Sequence, residues 1–263
     1  MDRGWTLWEQ IYKLSRPGAN FGYEAQAYVV FIIPMIFLAY YMKRTSTTVR
    51  TQTGFALLMA FLVSGLLISL SRTGMITLAA CLFFAARGAR KYIFLAIAAA
   101  AITGLVAVFP DNYFLQRYTM RSTDAYPMAA KLFQIKMAFV SVFSNPLNIL
   151  VGNAELVNKS KDGGFNPHNQ FMYDMMTKGV FTFLLGLAIF VRLFRKLKEA
   201  ARVKEPNDAL LARMLWLGLL SVFINCLSTQ VLINSNTGMM LWLIVLFALN
   251  LVPESRLYRI AWK

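Results

Sequence analysis

The stretch "LLISLSRTGMITLAACLFF", residues 66–84, is apolar enough to lie in lipid and yet carries Arg72 near its middle. An arginine at the centre of a bilayer costs about 2.5–3.5 kcal/mol on insertion scales. Whether Arg72 meets that cost depends on how often the chain crosses the membrane around it. Short basic loops flank the region, with Lys43, Arg44 and Arg50 before it and Arg87, Arg90 and Lys91 after it. Loops of this kind stay on the cytoplasmic side. Two loops on one side require an even number of crossings between them. From Arg50 to Arg87 a helix would run about 55 Å at 1.5 Å per residue. That is too long for one span of about 30 Å and enough for two short ones. The sequence therefore predicts two short helices joined by a tight turn at "SLSRTG" (69–74). Ser71 and Gly74 suit such a turn, and Arg72 falls at the outer membrane face.

The rest of the chain agrees with a membrane reading. Of its 263 residues, 58% are hydrophobic and 15% charged, against about 25% charged in soluble domains. Apolar runs at 27–42, 54–71, 73–86, 92–109, 179–191, 214–233 and 238–252 read as about seven transmembrane helices. The expected fold is an all-α polytopic membrane protein, with residues 1–263 forming one membrane domain. Further basic residues lie at Arg192, Arg195, Lys196, Lys198, Arg202, Lys204 and Arg213, and again at Arg256, Arg259 and Lys263. With seven crossings all these clusters fall on one side, so the net charge of +15 follows from topology. No basic surface interleaved with aromatics argues for nucleic acid. Cys81 and Cys226 lie inside apolar runs and read as small buried residues.

Parity also places residues 1–23 outside and makes 110–170 a large periplasmic segment between spans four and five. A polar outside start with no apolar signal segment is awkward to translocate. We expect the chain to be the C-terminal part of a longer protein, or a truncated reading frame, lacking N-terminal helices.

Within the outer segment, "YPMAAKLFQIKMAFVSVFSNP" (126–146) places Lys131, Gln134, Ser141 and Asn145 on one helical face. This predicts an amphipathic helix on the membrane surface, ended by Asn145-Pro146. A Gly- and Asn-rich loop (152–166) leads to "PHNQFMYDMMTKGVFT" (167–182), which enters span five. His168 is the one histidine of the chain. A histidine there can be a plain helix-start residue, but it is also the best acid–base group on this face. Asn169 can cap the helix. Arg72, Arg117, Arg121 and Lys131 lie on the same side. Guanidinium groups grip phosphate oxygens in bidentate fashion, so this cluster suits a lipid-linked diphosphate. The outer acids Asp111, Asp124, Glu155 and Asp162 are too dispersed for a divalent metal.

His168-Asn169, nine residues, Gly179, two residues and Thr182 resemble the H[NSQ]-x9-G-x-x-[GTY] motif of bacterial O-antigen ligases, a superfamily that includes O-antigen and exopolysaccharide polymerases. "SRTG" (71–74) resembles the family's arginine at a periplasmic helix end. "RPGANFGYEAQAYVVFIIP" (16–34) is similar to the segment before the family's core helix, and "SNPLNILVGNAEL" (144–156) to its Pro–Gly loop. The likeness covers most of this chain but only the C-terminal half of a typical member. It implies a GT-C-like fold in the bacterial inner membrane, with the active site facing the periplasm. It implies a metal-independent, inverting glycosyl transfer with no cofactor. The donor would be a glycan on undecaprenyl diphosphate and the acceptor lipid A–core or a growing glycan. By the same likeness Arg72 binds the diphosphate, His168 orients or deprotonates the acceptor hydroxyl, and Asn169 and Gly179 support them. The family's second arginine has Lys131 in its place here, with Arg121 or Arg117 upstream as substitutes. The competing expectations are a flippase or transporter for the same lipid-linked sugar, and an inactive membrane remnant.

Overall fold

A computed structural model describes residues 25–68, 71–86, 126–153, 169–203, 205–228 and 235–251. All regular structure among them is helical. The helices are α1 (Ala25–Thr45), α2 (Val49–Ile68), α3 (Arg72–Ala85), α4 (Tyr126–Phe143), α5 (Pro146–Val151), α6 (Gln170–Val203), α7 (Pro206–Ser228) and α8 (Ser235–Leu251). The run at 92–109, read as span four, lies outside the described residues, as do residues 1–24.

The break expected at "SLSRTG" is present. Helix α2 ends at Ile68 and α3 begins at Arg72. The Ser71 hydroxyl accepts the Gly74 amide at 3.2 Å and caps α3, which satisfies one of the donors a helix start leaves open. Gly74 lies against the side chains of Leu66 and Val29. The absence of a side chain at position 74 thus brings the start of α3 close to both α1 and α2.

Two described helices are long and apolar enough to cross a membrane, α2 over Val49–Leu66 and α7 over Pro206–Leu227; Thr73–Ala85 in α3 is apolar but shorter. These two differ in their burial. Half of the α7 stretch is buried inside the bundle, against 6% of the α2 stretch. Helix α7 is the hub, and α1, α3, α6 and α8 all pack against it. One packed cluster joins Val30 of α1 to Phe171, Phe190 and Leu197 of α6, Leu219 and Val222 of α7, and Ile244 of α8. A second joins Val29, Ile33 and Phe37 of α1 to Leu66, Cys81 and Leu217. Both cysteines are free and buried, as read from the sequence. Large apolar side chains are left bare on the outside, among them Phe61, Ile76, Phe181 and Trp242. Such a surface is unusual on a soluble monomer.

Three details depart from the sequence reading. Helix α4 ends at Phe143, so Asn145 is not on its polar face. Instead the Asn145 side chain accepts the Leu147 amide and caps α5, with Pro146 in its first turn. The segment read as a loop between Pro146 and Gly152 is therefore a short helix. The third departure concerns α6. The stretch 167–182 leads into the apolar run at 179, as read from the sequence, but through a sharp break that the sequence reading did not include. Gly179 has φ 85° and ψ 168°, and it divides α6 into α6a (170–178) and α6b (180–203). Phe171 lies 6.0 Å, ring to ring, from both Phe183 and Phe190. In a straight helix those pairs would be about 18 and 28 Å apart along the axis. The chain thus folds back at Gly179, and α6a packs along α6b. Helix α6b, now close to α7 in length, forms an antiparallel pair with it through Phe190–Phe223 and Phe194–Trp216.

Candidate functional site

The fold-back at Gly179 rests on a backbone crossing with a second glycine. Gly152, which follows α5, has φ 72°. A Cβ on Gly152 would land on the Thr177–Lys178 peptide, and one on Gly179 on the Leu150 carbonyl. Both residues also have a left-handed φ, where an L side chain is strained. The crossing then meets a hydrogen-bonding need. A non-helical Gly179 interrupts the i to i−4 ladder, and the Asn153 amide donates to the Met176 carbonyl at 2.6 Å. The end of α5 thereby caps α6a from outside its own helix. Ala138 and Val142 of α4 pack on Met175 and Met176 from the same side.

The opposite end of α6a is held by Asn169, which is 8% exposed. Its Oδ1 accepts the Met172 amide at 3.1 Å. Its Nδ2 donates to the Leu227 carbonyl at 2.9 Å. Asn169 is therefore the expected cap and also a tie between α6a and the last turn of α7, where carbonyls lack intrahelical donors. Along α6a the Asp174 carboxylate accepts Gln170 Nε2 at 2.9 Å and Lys178 Nζ at 2.8 Å. Each polar group is a turn from the next, so the carboxylate is neutralised within the helix.

Asn169→Ala should remove the cap, worth about 1 kcal/mol, and leave the Leu227 carbonyl short of a donor, worth about 1–3 kcal/mol. Asn169→Ser should restore the cap and not the tie, because serine is too short to reach across. Thermal melting of the solubilised chain is expected to rank the wild type above Ser and Ser above Ala. Equal melting of Ser and wild type would show that the tie adds nothing.

Arg72 is the first residue of α3, and Lys131 lies in the first half of α4; both side chains lie outside the described set. His168, Arg117 and Arg121 lie outside the described residues altogether. What the described residues give is the framework next to them. Gly74, two residues after Arg72, contacts Val29. Phe171, two residues after Asn169, belongs to the packed cluster that contains Val30. The start of α6a is tied to α7 through Asn169 and Leu227, and α3 packs on α7 as well, with the Cys81 thiol donating to the Leu217 carbonyl. Gly152 and Asn153 were missed as supporting residues by the sequence reading. The available signal was Asn145-Pro146 followed by Gly152, a helix-start pair with a helix-end glycine.

No family model matches the chain, and no curated protein matches it.

Proposed function

We propose that the chain is a multi-pass inner-membrane glycosyltransferase. It moves a glycan from undecaprenyl diphosphate to a sugar hydroxyl, as an O-antigen ligase or a related surface-polysaccharide polymerase does. The observation that carries this reading is that α3 and α6a, two helices with their starts beside the candidate residues, both pack on α7. One start bears Arg72 and the other follows His168. The bare apolar side chains around the bundle support the membrane setting, because a lipid surround satisfies them. Seven spans, with 110–170 outside, remain the topology that best accommodates the basic loops.

In this reading the acceptor hydroxyl attacks the anomeric carbon of the reducing-end sugar. The C–O bond to the diphosphate breaks, and the lipid diphosphate leaves with inversion at carbon. Arg72 meets the charge building on the departing oxygen, with Arg121, Arg117 or Lys131 as a second cation. His168 takes the hydroxyl proton or aligns it. The α6a framework fixes the backbone next to His168, through Asn169 at one end and the Gly152–Gly179 crossing at the other. The polyprenyl chain lies along the apolar helices.

The test is direct transfer. The full chain in proteoliposomes is given undecaprenyl-diphosphate-linked glycan, with either lipid A–core or free glycan as acceptor, in excess chelator. Product with the first acceptor identifies a ligase and product with the second a polymerase. Movement of the lipid-linked glycan across the bilayer without a new glycosidic bond would replace this proposal with a transporter. Neither activity would leave the remnant reading.

A further inference from the structure

Helix α6b carries an exposed row at helical spacing: Phe181, Leu185, Ala188, Arg192, Arg195, Glu199 and Arg202. Steps of three and four residues keep such a row on one face of a helix. The row changes character once, between Ala188 and Arg192. Its first part is bare apolar surface, with Phe181 73% exposed. Its second part carries three arginines and one glutamate. Arg192, Arg195 and Arg202 make no ion pair or hydrogen bond among the described residues. The packed side of the same helix differs. Leu193, Leu197 and Ala200 are buried there, and Lys196 is 7% exposed. Burial, with Arg192 adding to it and Glu199 opposing, holds the Lys196 ammonium below the usual lysine range. Lys196 therefore belongs to the packed side and not to the row.

We propose that Arg192, Arg195 and Arg202 form a binding stripe for the headgroups of anionic phospholipid on the basic side of the membrane. The face that meets lipid tails continues without rotation into cations at the level where phosphates begin. Charge complementarity selects the occupant. Guanidiniums that have no ion pair among the described residues, next to an apolar face, fit a phosphodiester headgroup carrying net negative charge better than a zwitterionic one. Glu199, between Arg195 and Arg202 in the row, works against the same headgroups. The inference rests on the membrane part of the proposed function and is independent of glycosyl transfer.

The experiment uses the full chain reconstituted in nanodiscs of phosphatidylcholine and phosphatidylglycerol in equal parts. Lipids retained on release are counted by native mass spectrometry. The wild type is expected to retain phosphatidylglycerol in preference to phosphatidylcholine. Each arginine changed to glutamine should lower that preference about fivefold, from the usual strength of a cation near an anionic surface. The triple variant Arg192→Gln, Arg195→Gln, Arg202→Gln should lower it at least tenfold. Glu199→Gln should raise it, a gain that a poorly folded variant does not produce. An undiminished preference in the triple variant, or a lowered one in Glu199→Gln, overturns the stripe. Failure to incorporate into nanodiscs or to retain either lipid would overturn both the stripe and the membrane reading. Lost glycosyl transfer with lipid preference intact would leave the stripe standing and remove only the enzyme.

Discussion

Gly152→Ala and Gly179→Ala are each expected to cost about 3 kcal/mol or more. The left-handed backbone alone costs an L residue roughly 1–2 kcal/mol. Forcing a carbon into a filled contact costs about 1–3 kcal/mol more. Here the atoms in the way are backbone, at Thr177–Lys178 for one glycine and Leu150 for the other, and backbone yields less readily than the end of a side chain. A chain of this length should lose about 2–4 °C of melting temperature per kcal/mol. Each variant should therefore melt about 6–12 °C lower in detergent. Gly54 and Gly186 supply internal controls, since a Cβ at either meets nothing within 4 Å. Both lie inside helices, where alanine is favoured over glycine by about 0.5–1 kcal/mol, so their alanine variants should melt at or slightly above the wild type. If Gly152→Ala melted with those controls, the crossing would not hold α6a in place.

The second large effect is on activity. Under the proposed mechanism, His168→Ala should lower transfer about 10²–10⁴-fold, the usual contribution of a positioned acid–base group. Arg72→Ala should lower it about 10²–10³-fold, as loss of a transition-state charge partner does elsewhere. Arg72→Lys should recover part of the activity, because lysine keeps the charge and loses the bidentate fork. All three variants should keep the wild-type melting temperature. Full transfer by both alanine variants would end the assignment of these two residues. Loss of transfer together with a fall in melting temperature would identify them as structural instead.

The two kinds of prediction separate what could be read locally from what could not. The break at Ile68–Arg72 was legible because a parity reading of the two basic loops calls for a turn between them, and Ser71 and Gly74 name it. The helical class followed from long apolar runs, and the cap at Asn169 from residue type and position. By contrast, Asn145-Pro146 was read as an ending when it is a beginning. The same dipeptide stops one helix and starts the next, and the deciding signal, Gly152, comes six residues later.

The fold-back of α6 was not legible at all. Gly179 marks the start of an apolar run, and a glycine there does not by itself tell a reversal from a straight helix. Its left-handed conformation is selected by contact with Leu150 and Val151 and by the Asn153 amide reaching Met176, all distant in sequence. The second role of Asn169, the tie to Leu227, is likewise a contact 58 residues away. By itself the sequence determined that the chain is helical, where it breaks before Arg72, and which residue types could grip a diphosphate or move a proton. Only the tertiary structure decided that α6 reverses and that α7 carries both α3 and α6a. The physical reason is that helix formation and charge placement are local or additive along the chain. A backbone crossing of two glycines is a pairwise contact, and neither partner announces it alone.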